Sequence, residues 1–153
     1  MFNRQLAKYL ESQSVNYHWI THPPSFTAQE TARRANIPKE KFAKTVIVKL
    51  NGKMAMTVMP ATEKLSFHRL KKTVGVNDVT LVSEWEFVDK FPGCERGAMP
   101  PFGKLYGLPV FVSGTLAEDS DIAFSAGSHR EVIKISFKDF KRLERPRIGS
   151  FTV

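Results

Sequence analysis

The chain has 153 residues, 42% of them hydrophobic, and a formal charge of +8 from 23 Lys and Arg against 15 Asp and Glu. That composition suits one domain with a sizeable core and excludes a disordered chain, and the start at Met1 to Leu6 lacks the long apolar run of a signal peptide or membrane span. The lone cysteine, Cys94, excludes an intramolecular disulfide framework and is expected of a reducing cytoplasm, while the basic excess favours an acidic partner, nucleic acid first.

In chain order, Leu6, Tyr9 and Leu10 fall at helical spacing, predicting a helix over 4–12 with Asn3 as N-cap. Residues 17–21 alternate like a short strand, and His22-Pro23-Pro24-Ser25 breaks the chain. Thr27-Ala28-Gln29-Glu30 is a capping-box pattern that predicts a helix to about Asn36. The β-branched run 44–50, the turn pair Asn51-Gly52 and the run 54–59 predict a hairpin. An amphipathic helix is expected over 64–73 with Leu65 and Leu70 inward, then a short strand at 80–82. Ser83-Glu84-Trp85-Glu86 is a second capping-box pattern, opening a helix to about Lys90.

Further strands are expected at 108–115, with Pro109 confined to its start or to an edge, at 122–125 and at 131–136. A helix capped by Ser136 closes the pattern over 137–143. The irregular mixture of elements predicts an α+β fold with a mixed sheet and helices packed outside it, in a single domain.

The loop 93–103 carries three glycines and two prolines, so it is no helix or strand interior, yet it holds the apolar Met99 and Phe102. It reads either as a structural crossover or as the main-chain wall of a small pocket. Lys44 opens an apolar strand directly before Thr45, where it can hold a phosphate or a terminal ribose, or simply snorkel to solvent. The turn 125–130 offers Ser125, a close backbone approach at Gly127, Ser128 and His129, or is a plain β-turn.

Other chemistry is poorly supported. The histidines His18, His22, His68 and His129 lack metal-ligand spacing, so no metal and no cofactor is expected. No base neighbours Cys94 in sequence, and it reads as inert. Glu84 with Glu86, and Asp119 with Asp121, read as cap or turn carboxylates rather than acid/base pairs.

The order of the three weak sites carries a resemblance. Lys44-Thr45 at a strand start, a G-x-x-x-P loop at Gly97 to Pro101 and a Ser-x-Gly turn at Ser125 to Gly127 together resemble the YbaK/ProX family, as do His22-Pro23 and the segment from Thr27 to Ala32. These are aminoacyl-tRNA deacylases related to the editing insertion of bacterial prolyl-tRNA synthetases. The resemblance spans about Leu6 to Phe140. It implies that family's fold, with a partly barrel-like mixed sheet and flanking helices, and trans-editing hydrolysis of tRNA mischarged with Ala, Ser, Thr or Cys.

It further implies a catalytic set of Lys44, Gly97 and Pro101, and a substrate-binding set of Phe26, Thr45, Ala98, Met99, Ser125, Gly127 and His129. The implied partners are mischarged tRNA and a synthetase, with no membrane. Many members have glycine where this chain has Ala98, and basic residues near Ser128 and His129, so pocket width and the role of His129 are open. The alternatives are a non-catalytic RNA-binding module and a hydrolase or binder of free aminoacyl compounds.

Overall fold

The computed structural model describes residues 3–118 and 120–153. Asp119, paired with Asp121 in the sequence reading, lies outside the described residues. Among the described residues, eight strands form two sheets. The larger has the order β4(Val79–Leu81), β2(Ala43–Leu50), β3(Lys53–Pro60), β5(Val110–Ser113), β8(Arg147–Gly149). The smaller has the order β1(His18–Thr21), β7(Glu131–Ser136), β6(Asp121–Ser125). The expected single mixed sheet is therefore two. A bridge between Phe42 and Ala123 joins them, and they do not close into a barrel.

Local signals decide much of this. Asn51 and Gly52 have φ of 48° and 83°, as a tight two-residue hairpin requires, and they align β2 with β3 from Leu50–Lys53 to Ala43–Pro60. Asn3 accepts from the N–H groups of Gln5 and Leu6, capping α1(Arg4–Ser12). Thr27 accepts from Glu30 N at 3.2 Å and starts α2(Ala28–Arg34), which ends two residues before Asn36. Ser136 likewise caps α5(Phe137–Glu144).

Elsewhere tertiary pairing overrides the local pattern. α3(Phe67–Val74) begins at a Ser66 cap, because Leu65 is taken by an antiparallel bridge to Thr152. Ser83 makes no main-chain cap for α4(Glu84–Lys90); its hydroxyl donates to Glu86, which pairs with Lys49. The strand expected over 108–115 shortens to Val110–Ser113 and sits inside the sheet, parallel to both β3 and β8. Pro109 stays just outside it, where its carbonyl still accepts from Met56 N–H at 2.9 Å.

The main core lies between the sheets, with α1 and α5 covering it through Leu6, Leu10, Phe140 and Leu143. Phe102 is fully buried there, edge-on to Tyr9, Phe124 and Phe140 at 5.9, 5.4 and 5.7 Å. One buried aromatic of this kind is worth about 1.5–3 kcal/mol of transfer free energy, enough to pin the loop that carries it. Gly103 follows because a Cβ there would meet Leu108 O at 2.2 Å. The far face of the larger sheet packs Val48, Met59 and Phe111 against Leu70 of α3 and Phe151.

Candidate active site

The start of β2 lies at the seam between the sheets. Phe42 bridges Ala123, and its carbonyl accepts from Ala61 N–H at 2.8 Å. This fixes the path of Ala43, Lys44 and Thr45. Lys44 is half-buried, and loss of water pushes its ammonium below the usual lysine range. Lys64 pushes the same way, and Glu63 partly opposes both. Glu63 is itself engaged, accepting from Ser113 Oγ at 3.2 Å, Thr115 Oγ1 at 2.6 Å and Thr152 Oγ1 at 2.5 Å. The Thr45 hydroxyl is buried and has no hydrogen-bond partner among the described residues.

The loop and the turn are fastened to each other. Glu95 N–H donates to Gly127 O at 2.8 Å, and Gly127 N–H donates to Ala98 O at 2.8 Å. His129 N–H donates to Glu95 Oε1 at 2.8 Å, and His129 Nε2–H donates to Arg96 O at 2.8 Å. The turn is tied in addition to the segment before α2, where His22 N–H donates to Arg130 O and Ser25 N–H to His129 O. That tie brings the Phe26 ring to 4.8 Å from the imidazole of His129.

Between these pieces is a cavity of about 50 Å³. Seven of the ten proposed site residues line it: Phe26, Lys44, Thr45, Gly97, Met99, Ser125 and His129. Gly97 holds φ at +85°, a left-handed conformation that suits glycine. Its N–H donates to no acceptor among the described residues.

The other three stand behind the lining. Ala98 is 1% exposed, and its carbonyl serves the contact to Gly127. Pro101 is buried beside Phe102, and Gly127 forms the back of the turn. Thr27, Ala28, Thr31, Phe42 and Ala43 also line the cavity and were missed in the sequence reading. A signal was available, since Phe26 directly precedes the capping box, so Ala28 and Thr31 share the first turn of the helix it introduces.

Cys94 is set apart from this chemistry. Burial pushes its thiol up, away from the thiolate form, and its sulfur lies 3.3 Å from the Tyr106 hydroxyl. His18, His22 and His68 do not line the cavity. Nδ1–H of His22 donates to Pro23 O at 2.7 Å. No described helix is long and apolar enough to cross a membrane.

A 23% identical relative, covering 97% of this chain and 92% of its own length, is the multifunctional Ser/Thr-tRNA deacylase ProXp-y of Escherichia coli K12. The fold matches the crystal structure of a candidate trans-editing enzyme for prolyl tRNA synthetase with a TM-score of 0.83 at 17% identity, over 98% of this chain and 96% of that one. It also matches a crystal structure of a hypothetical protein with a TM-score of 0.85 at 18% identity, over 97% and 99%. Residues 22–143 match the family model of the aminoacyl-tRNA editing domain, and the chain belongs to that family.

Proposed function

We propose that this editing domain hydrolyses the ester between a small, wrongly attached amino acid and its tRNA, with Lys44 and the Gly97 main chain as the working groups. The observation that carries the reading is the composition of the cavity wall. It includes the half-buried Lys44 ammonium and the unengaged main-chain N–H of Gly97, around a space of about 50 Å³.

An aminoacyl ester is already activated, so water aided by the neighbouring ribose hydroxyl suffices as nucleophile. The protein's task is to fix the carbonyl and stabilise the oxyanion. A main-chain donor such as Gly97 N–H is worth about 3–4 kcal/mol in that role. Lys44 holds a ribose or phosphate oxygen of the tRNA end as a point charge. His129 shapes the wall, its ring held in place by the Nε2–H bond to Arg96 O.

Size sets the first selection. At about 10–15 Å³ for each water-sized group, 50 Å³ holds only a few heavy atoms, which fits Ala, Ser, Thr or Cys. The buried, unpartnered Thr45 hydroxyl favours a hydroxylated side chain among these. An amino acid that leaves it unpaired loses more than the roughly 1–3 kcal/mol a methylene is worth. Ser and Thr are therefore the preferred substrates, delivered by a synthetase that has released its error.

The test is deacylation of a panel of tRNAs mischarged with Ala, Ser, Thr and Cys. Seryl- or threonyl-tRNA should be cleaved, and Lys44→Ala should abolish the cleavage. Salt-sensitive tRNA binding with the whole panel left intact would replace this reading with that of a non-catalytic RNA-binding module.

A further inference from the structure

The carboxylate of Glu63 is gripped at both oxygens. Oε1 accepts from Ser113 Oγ at 3.2 Å and Thr152 Oγ1 at 2.5 Å, and Oε2 accepts from Thr115 Oγ1 at 2.6 Å. Ser113 and Thr152 are themselves buried. All three donors are neutral hydroxyls, so they fix the group in place without cancelling its charge, as a bonded Lys or Arg would. Arg69 lines the same cleft, but its Nη1 is committed to Thr152 O at 2.8 Å.

The path of the chain sets this group against the start of β2. Ala43 pairs with Pro60 at the end of the β2–β3 ladder, and Ala61 N–H donates to Phe42 O at 2.8 Å. Glu63 N–H then donates back to Pro60 O at 3.0 Å, so a turn folds residues 61–63 beside the strand that opens with Lys44. Residues 151–153 close the other side. Lys64 N–H donates to Val153 O at 2.9 Å and Ser66 N–H to Phe151 O at 2.8 Å, which delivers the Thr152 hydroxyl to Glu63.

Resting on the editing reading, we infer that Glu63 is a positioning residue for Lys44, a fixed counter-charge that holds the lysine in its ammonium form for the tRNA end. Lys44 needs one, because it is half-buried and Lys64 repels it. Glu63 opposes both effects. His129 is the other titratable side chain lining the small cavity, and Arg69 and Glu118 are those beside Glu63. A cage of hydroxyls is the arrangement that a counter-charge for a second group requires, since an ion pair with Arg69 would direct the field of the carboxylate elsewhere.

The experiment follows Lys44 by two readouts. One is the pH dependence of its own side-chain NMR resonance, assigned with Lys44→Met, and the other is the alkaline limb of kcat/KM on seryl-tRNA. Glu63→Gln keeps the size and an acceptor. It should lower both midpoints by about one pH unit, with kcat/KM well below the limb near the wild-type value. Lys64→Gln should raise both midpoints. Thr152→Val loosens the carboxylate and should move them in the direction of Glu63→Gln, and Thr152→Ser should restore them. Thr73→Val removes the Thr73 Oγ1–Ser150 O bond of 2.8 Å from the same segment without touching Glu63, and should leave both in place. An unmoved midpoint in either readout for Glu63→Gln, or an equal movement in Thr73→Val, overturns the inference. The NMR readout needs no turnover. A wild type that deacylates nothing in the panel therefore refutes the editing reading, whereas a Lys44 resonance indifferent to Glu63→Gln refutes the counter-charge alone.

Discussion

The main-chain N–H of His129 donates to Glu95 Oε1 at 2.8 Å, while the ring of the same residue donates to Arg96 O at 2.8 Å. One residue of the turn thus holds two consecutive residues of the loop immediately before Gly97. A hydrogen bond to a charged acceptor contributes about 1.5–3 kcal/mol, with exposed examples such as Glu95 at the low end. Glu95→Ala should lower kcat about tenfold by loosening the presentation of Gly97, and cost at most about 1.5 kcal/mol of stability. Glu95→Gln retains an acceptor and should recover most of the rate. Single-turnover deacylation beside thermal melts checks both.

Gly97→Ala isolates the backbone from the space around it. An added Cβ would lie 3.7 Å from His129 Cε1, an ordinary contact, so crowding is not the obstacle. The left-handed φ of +85° is, at about 1–2 kcal/mol for an L-residue. The loop should relax and turn the N–H away from the cavity, cutting kcat about a hundredfold with little loss of fold. Full activity in that variant would remove Gly97 N–H from the mechanism.

Lys44 links activity and stability in opposite directions. Burial, then Lys64, holds its charged form below the usual lysine range. Between that depressed value and the ordinary one, the unfolded chain binds more protons than the folded chain, so stability rises with pH across the window. Lys44→Met should abolish deacylation while raising the melting temperature at neutral pH and flattening its alkaline rise. In the wild type, kcat/KM should begin to fall on the alkaline side before an ordinary lysine would titrate.

Glu144 has the complementary sign. Burial pushes its carboxyl up, against the Lys104 N–H donating at 3.1 Å and the Tyr9 hydroxyl donating at 3.3 Å. Tyr9 is pushed up to about 12, first by its own burial and then by Glu144. A raised carboxyl favours the fold below the ordinary glutamate value, and that contribution is lost as pH rises through the raised one. Glu144→Gln keeps an acceptor without the charge. Melts from about pH 4 to 8 should show the wild type losing stability relative to Glu144→Gln as pH rises through the acidic range.

What the sequence revealed was local, and what it hid was distant. Asn51-Gly52, the Asn3, Thr27 and Ser136 caps and the β-branched run of β2 act within a few residues, so each is legible where it stands. The parallel pairings of β5 with β3 and β8 join residues far apart in the chain, and no short pattern encodes them. The claim of Thr152 on Leu65, which delays α3, has the same origin. In the site, Lys44, Gly97 and Ser125 stood out because a strand start, a glycine loop and a small-residue turn are punctuation. Ala28, Phe42 and Ala43 did not, since an apolar residue facing a cavity looks in sequence like one facing the core.

The Phe42–Ala123 bridge gives the small cavity a property that no single lining residue has. Lys44 and Thr45 belong to one sheet and Ser125 to the other, and that bridge joins the sheets at Phe42, which lines the cavity. The width of the small cavity therefore depends on how closely the two sheets are held at that bridge. A larger side chain at position 123 would reset which amino acids pass without touching any residue that meets them.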